Sequence, residues 1–360
     1  MTTTSSAQPV IDQGALDALM GRFVADFGAA VSFPLITLGE RLGLFRAMAD
    51  GEPVTPTDLA ERTDTAERYV REWLSAMAAG GYVSYDAAAE RFHLTPEQAL
   101  ALADEDGPAY LPGAFQLASA VVKDAPHIER VFRTGDGFGW HEHDHDLFHG
   151  TERFFRPGYV ANLVSSWIPA LAGVHEKLRH GGRVADVGCG HGASTIIMAQ
   201  AYPHSTFVGS DYHEASIEAA ARAAERAGVA DRCTFEVTGA DGYSGAGYDL
   251  VCMFDCLHDM GDPVGAAHHV RSTLDDDGTW LIVEPYANDR LEDNLNPVGR
   301  IYYAASTQLC TPASLSQDVG LALGAQAGEA RLADVVARGG FTRFRRATET
   351  PFNLVFEARR

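Results

Sequence analysis

Positive charge is scarce in this sequence. Its 360 residues carry 28 Lys and Arg against 49 Asp and Glu, a formal net charge of −21. A polyanionic partner needs clustered cations, so this balance argues against nucleic acid and against an anionic lipid surface. Cysteine is scarce as well. The five present are odd in number and have no paired spacing, which points to a reducing compartment and a cytoplasmic protein rather than a disulfide scaffold. The opening MTTTSSAQPV has neither a positive n-region nor an apolar h-region, so no signal peptide is expected, and the first dozen residues read as a frayed tail. No unbroken run of about 18 apolar residues occurs, and no membrane span is expected. The best stretch, Val31 to Phe45, is interrupted by Glu40 and Arg41. What remains is 46% hydrophobic and 21% charged, the balance of a globular chain long enough for two domains.

The N-terminal third reads as helical. Leu16, Leu19, Phe23, Phe27 and Val31 recur at helical steps, with Pro34 expected to end or kink that helix and Leu38 to begin another. A short helix is expected over Thr55 to Thr63. A longer one carries Tyr69, Val70, Trp73, Leu74 and Met77, with Asp64 or Thr65 as N-cap and Gly80-Gly81 as its stop. Two short strands around a polar turn follow in Tyr82 to Thr95, completing a winged helix. That fold invites a DNA-binding reading. However, residues 51–100 hold four basic against nine acidic side chains, so a dimerisation and lid role is the expectation. Residues 134–159 read as an irregular segment rich in Gly and aromatics. His141, His143, His145 and His149 there suit either metal ligation from an extended strand or ordinary pairing with Glu142, Asp144 and Asp146. No partner motif completes a metal site, and an active-site wall is the more useful expectation.

A helix over about Pro157 to His180 precedes an alternation of strands at 183–187, 206–210, 234–237, 248–254 and 279–283 with helices at 193–201, 215–227 and 263–274. That is a doubly wound α/β fold with a mostly parallel sheet. The last two strands, in FTRFRRA and FNLVFEAR, are too close in sequence to pair other than antiparallel. The domains expected are a winged helix over 12–105, a loop-rich joint over 106–154 and the α/β domain over 155–360.

The sharpest motif is RVADVGCGHGAS, Arg183 to Ser194. An apolar strand ends in Asp186, then Gly188, Gly190 and Gly192 open a helix, so the backbone can turn tightly and approach a ligand. Gly188, Gly190 and Ala193 also fit the dinucleotide spacing. Against a nicotinamide reading, Asp186 would repel a pyrophosphate and welcome a cationic amino acid. Asp211, with Tyr212 beside it, ends the second strand, where a carboxylate can accept both hydroxyls of a ribose. Asp241 ends the third, placed to accept from an adenine amino group, with the amide of Gly242 or Tyr243 on a ring nitrogen.

These residues carry a resemblance. Residues 183 to about 285 resemble a class I S-adenosylmethionine-dependent methyltransferase, and with the winged helix in front the chain is similar to bacterial small-molecule methyltransferases built like the plant O-methyltransferases. The resemblance implies S-adenosyl-L-methionine as cofactor, with Asp186, Gly188 and Gly190 at its methionine end, Asp211 at ribose and Asp241 at adenine. It also implies a seven-stranded sheet with an antiparallel last strand, and a homodimer through the N-terminal helices. In CMFDCLHDMGDP it assigns His258 as general base, with Glu284 of LIVEPY orienting it. The Lys that the family carries four residues before that His is Phe254 here, which removes a salt bridge to the cofactor carboxylate. A packing role for His258 stays open, and Asp259 reads as a helix cap or a partner of His258. Cys252 and Cys256 read as packing on one strand face. Tyr302, Tyr303, Ser306 and Thr307 either face the acceptor or pack an amphipathic helix on the sheet. The activity implied is methyl transfer to a hydroxyl of a small aromatic or polyketide-like compound of secondary metabolism. C- or N-methylation, a transcription regulator with a cofactor-sensing domain, and an NAD-dependent dehydrogenase are the rivals.

Overall fold

In the computed structural model, residues 11–360 are described. The tail expected over the first dozen residues lies outside these apart from Ile11 and Asp12. The chain divides into two compact units, Met1–Glu105 and Asp106–Arg360.

The first unit begins with one long helix, α1 (Gln13–Arg41), N-capped by Asp12. It runs straight through Pro34, where a break was expected. Pro34 and Ala30, whose carbonyl the proline leaves without a donor, both sit on exposed surface, so water can serve that carbonyl. The helix is also long and apolar enough, by length and composition, to cross a membrane, which the search for unbroken apolar runs did not anticipate. Leu16, Leu19, Phe23, Phe27 and Val31 are all exposed along it. Its C-terminal end is anchored: a Cβ on Gly39 would come within 2.4 Å of the Trp73 ring, and Trp73 Nε1 donates to the Leu35 carbonyl at 2.8 Å. Helix α2 (Pro56–Thr63) starts in a capping box between Thr55 and Asp58. Asp64, an expected N-cap for the next helix, instead adopts φ +50° as the left-handed end of α2, so α3 (Glu67–Ala79) starts from Ala66 without a side-chain cap. The wing is the antiparallel pair β1 (Ser84–Asp86) and β2 (Arg91–His93), followed by α4 (Pro96–Leu102).

The second unit opens helically where a loop-rich segment was expected: α5 (Pro112–Lys123), α6 (Ala125–Thr134) and α7 (His145–Asn162). The four histidines do not line one strand face. His143 is buried with Nδ1 2.7 Å from Asp124 Oδ2, while His145 and His149 ride on α7. Pro157 lies inside α7 rather than at a helix start. The helix passes through a π turn (Leu163–Trp167) and a 3-10 turn before α8 (Val174–His180).

The sheet contains β3 (Arg183–Val187), β4 (Thr206–Asp211), β5 (Cys233–Val237), β6 (Tyr248–Phe254), β7 (Leu274–Pro285), β8 (Arg343–Glu349) and β9 (Asn353–Arg359), in the order β5-β4-β3-β6-β7-β9-β8. The first five pair in parallel and β9 is antiparallel to both its neighbours. Helices α9 (Ala193–Ala201), α10 (Glu214–Arg226), α11 (Pro263–Thr273), α12 (Pro297–Ala305), α13 (Thr311–Leu315) and α14 (Gly328–Arg338) complete the unit. Strand alternation builds a core on each face. Ala185, Val251, Met253 and Ile282 pack in one cluster, and Val184, Leu250, Cys252 and Val283 in the other. Cys252 and Cys256 therefore do not share a face. Cys252 belongs to the second cluster, whereas Cys256 lies beyond the strand and packs against the first. Strand order reverses direction of growth at β3, and the crevice beyond the strand tips there is where such sheets bind ligands.

Candidate functional site

A cavity of about 540 Å³ opens at those strand tips. The glycine loop, Asp211–His213, residues 238–241 and residues 254–256 form its floor, and α7 and Trp140 supply an aromatic wall. Gly188, Gly190 and Gly192 have φ of +75°, +51° and +78°, values that side chains disfavour. A Cβ on Gly188 would meet Cys256 Sγ at 2.8 Å, so the turn requires glycine there for space as well.

Asp186 is 1% exposed. Its Oδ2 accepts from the hydroxyls of Ser194 and Thr195, both at 2.6 Å, while Oδ1 has no hydrogen-bond partner. Burial pushes its carboxyl up to about 6, against the pull of those hydroxyls. A buried carboxylate with an unmet oxygen below a glycine turn suits a cationic group, which would restore its ordinary ionisation. Asp211 is tied to the same turn: Oδ2 accepts from the Gly190 amide at 3.0 Å and Oδ1 from the His213 amide at 2.9 Å. Burial raises its carboxyl too, against those amide bonds. Tyr212, Phe254 and Asp241 line the cavity, Asp241 from exposed surface. Gly242 does not line it in the expected way. Its amide donates to the Gly239 carbonyl at 3.1 Å, and the Tyr243 side chain is buried against Thr273 and His269.

His258 and Glu284, 26 residues apart, are brought together. His258 Nδ1 lies 2.5 Å from Glu284 Oε2, and Glu284 Oε1 accepts from the Leu257 amide at 3.0 Å. Both side chains are buried and stand behind the cavity wall, beside Asp255, Cys256 and Asp259, which line it. Burial disfavours the imidazolium, but Glu284 and Cys310 outweigh it, so the ring titrates well above the usual histidine range. Asp259 accepts from Trp140 Nε1 at 2.8 Å and is pushed up to about 6, chiefly by burial. The cap of α11 is instead Asp262. Tyr302 and Ser306 turn inward, Tyr302 donating to the Phe352 carbonyl at 2.8 Å, while Thr307 is exposed. Among the described residues no three His, Cys, Asp or Glu converge as metal ligands.

Three participants escaped the sequence reading. Trp140 reaches Asp259 across 119 residues. Asp255, the residue after β6, has φ +50° and accepts from Asn353 Nδ2 at 3.2 Å. Cys310 sits 3.3 Å from His258 Nε2. None belongs to a periodic or spaced motif, so only the fold reveals them.

Residues 178–324 match the family model of a methyltransferase domain, and residues 29–104 match an Rv2258c-like winged helix-turn-helix domain. The chain is 31% identical over 110 residues to the polyketide synthase ThaQ of Burkholderia thailandensis. That match covers 30% of this chain and only 5% of the synthase. The fold matches a structure described as a putative O-methyltransferase from Nostoc punctiforme, with a TM-score of 0.71 and 18% identity over 98% of this chain and 99% of that one. It likewise matches the mitomycin 7-O-methyltransferase MmcR, with a TM-score of 0.67 and 19% identity over 97% and 100% of the two chains. The chain thus carries a match to a methyltransferase domain over residues 178–324, behind a match to an Rv2258c-like winged helix-turn-helix domain, in a fold shared with structures described as O-methyltransferases.

Proposed function

We propose that the protein methylates an oxygen of a small organic acceptor with S-adenosyl-L-methionine as donor. The observation that carries this reading is the buried His258–Glu284 pair set directly behind residues 254–256 of the cavity floor. The residues present fit the donor. The glycine turn would hold its methionine end, with Asp186 beneath the lining and bonded to Ser194 that lines it, Asp211 its ribose, and Asp241 and Tyr212 the adenine side. When bound, the donor supplies an electrophilic methyl group.

The chain's own residues then do two things. Trp140, Phe148, Phe155, Tyr159 and Phe254 wall the cavity and keep water out, which favours a positioned in-line transfer. His258 takes the acceptor's hydroxyl proton at Nε2, while Glu284 holds the proton on Nδ1 and stabilises the charged ring. A phenol of pKa about 10 is mostly protonated near neutrality, so a base at the reacting oxygen speeds its attack. The chemistry suits an aromatic or polyketide-like natural product. The ThaQ and MmcR matches lean the same way, since one is named as a polyketide synthase and the other for mitomycin.

The exposed apolar face of α1 supports self-association as a homodimer, and sedimentation would report the mass. The winged helix has no bare basic face: Arg68 pairs with Glu72, and Arg71 with Glu67, on α3. This leaves a regulator reading without support. The test of the main proposal is calorimetry with S-adenosylmethionine and S-adenosylhomocysteine, then incubation with labelled donor and a panel of hydroxylated and aminated aromatics. Binding of the nucleoside with label on oxygen is expected. Absence of binding, or label found on nitrogen or carbon, would overturn it.

A further inference from the structure

His258 is hydrogen-bonded at both ends. Glu284 of β7 takes Nδ1, and Cys310 Sγ stands 3.3 Å from Nε2. The ring is 3% exposed and Cys310 is buried as well. The sulfur is delivered by an irregularity. After α12 the helix loosens into a π turn, Ser306–Cys310, before α13 resumes, and such turns recur at functional sites. One dipeptide registers the turn against the histidine. The Gly324 amide donates to the His258 carbonyl at 3.1 Å, and the Ala325 amide donates to Ser306 Oγ at 3.0 Å. Gly324 has φ +75°, and a Cβ there would meet Ser306 Oγ at 2.8 Å, so this close approach needs glycine.

We propose that Cys310 is a positioning residue that latches His258: its sulfur fills the place on Nε2 that an acceptor oxygen must take before its proton can leave. This rests on the reading of His258 as the base. The carboxylate keeps a proton on Nδ1, so Nε2 is the nitrogen free to receive one. While the ring is charged, Nε2–H donates to the sulfur. Once it is neutral, the thiol donates to Nε2. Sulfur is a weak partner in either direction, so an acceptor hydroxyl that reaches Nε2 displaces it readily. The proton reaching Nε2 comes from the acceptor. The groups facing the ring are Glu284 from β7, Asp255 and Asp259 from its own loop and Cys310 from the π turn. Of these, Cys310 is the one on Nε2.

The test uses full-length protein labelled with 15N-histidine and titrated by long-range 1H–15N spectroscopy, with His258→Gln to assign the ring. Cys310→Ala removes the sulfur, and Cys310→Val removes its hydrogen bonding at similar volume, so whichever folds decides. The bond to the charged ring is the stronger of the two, so in either variant the His258 midpoint should fall, by about half a unit. Cys310→Ser should stay near wild type. Superimposable midpoints in wild type and a folded Cys310→Ala or Cys310→Val would overturn the latch. Methyl transfer that persists in His258→Gln would overturn the base reading alone, leaving the titration result standing.

Discussion

The two ends of the crevice are made of different material. At the β3–β4 end a ligand meets backbone: three left-handed glycines, with the Asp211 carboxylate accepting from the Gly190 amide of the turn. At the β6–β7 end Trp140 and Asp259 line the cavity, and behind them stand His258, Glu284 and Cys310, side chains drawn from four separate stretches. Backbone recognition is contiguous in sequence and tolerant of what surrounds it. Side-chain recognition depends on packing across the whole sheet, because Glu284 is aligned by the β7–β9 register and Cys310 by a helix irregularity. On the proposed reading, the first end takes the fixed donor and the second the variable acceptor.

The comparison breaks most sharply at His258. On the proposed reading, His258→Gln lowers turnover by about a hundredfold or more and leaves donor affinity within about twofold, since the ring touches only the β6–β7 end. A loss of affinity equal to the loss of turnover would mean the two ends are not separable. The pH profile adds a sign. The folded ring titrates above its ordinary value, so it is protonated near neutrality, and kcat/KM should climb as pH rises through that raised midpoint. The same linkage acts on stability. The pair's contribution is fully present below the unfolded value of about 6.5 and fades as pH rises through the folded one. Glu284→Gln should cost about 3–5 kcal/mol by chemical denaturation at pH 6, because it leaves a buried imidazolium without its carboxylate. A loss below about 1 kcal/mol would return the pair to ordinary packing.

Asp211 probes the other end. Asp211→Ala removes the acceptor oxygens of the Gly190 and His213 amides, and with them the carboxylate on the proposed ribose side. Donor affinity by calorimetry should fall about 10–100-fold, with turnover at saturating donor changed less. If turnover collapsed at saturation instead, the turn would be serving the acceptor as well.

The same contrast governs what the sequence discloses. Asp186, Gly188, Gly190 and Asp211 are legible because a strand, a tight turn and a helix start leave a contiguous imprint, and every sheet strand of the second unit was located to within a few residues apart from a longer β7. His258 and Glu284 could be named through family resemblance, but their 2.5 Å contact depends on the register of β6 with β7. Cys310 stayed hidden because a π turn shifts helical phase by one residue, which periodicity reads as noise. Residues 134–159 read as irregular, yet 145–159 fall within α7, where Pro157 and Gly150 count against a helix. In the fold Gly150 packs tightly on Leu117, where a Cβ would come within 2.5 Å of its backbone, so tertiary packing overrides propensity. Pro34 misled in the same sense, since an exposed helix flank tolerates a proline that a buried one would not.

The smallest effect sharpens the comparison from within the β3–β4 end. Asp241 lines the cavity beside Asp211 but stands on exposed surface, with water on one side. A carboxylate already solvated loses hydration when it accepts from a ligand, so the net gain of that bond is small. Asp241→Asn keeps an oxygen that can still accept, and its effect on donor affinity should be about two- to fivefold, well below that of Asp211→Ala. Raising the salt concentration should narrow the Asp241→Asn difference further and reduce the Asp211 effect less, because screening reaches an exposed charge more than a partly buried, hydrogen-bonded one. Equal losses for the two variants, at low and high salt alike, would mean that burial is not what separates them, and that adenine and ribose contacts contribute equally at this end.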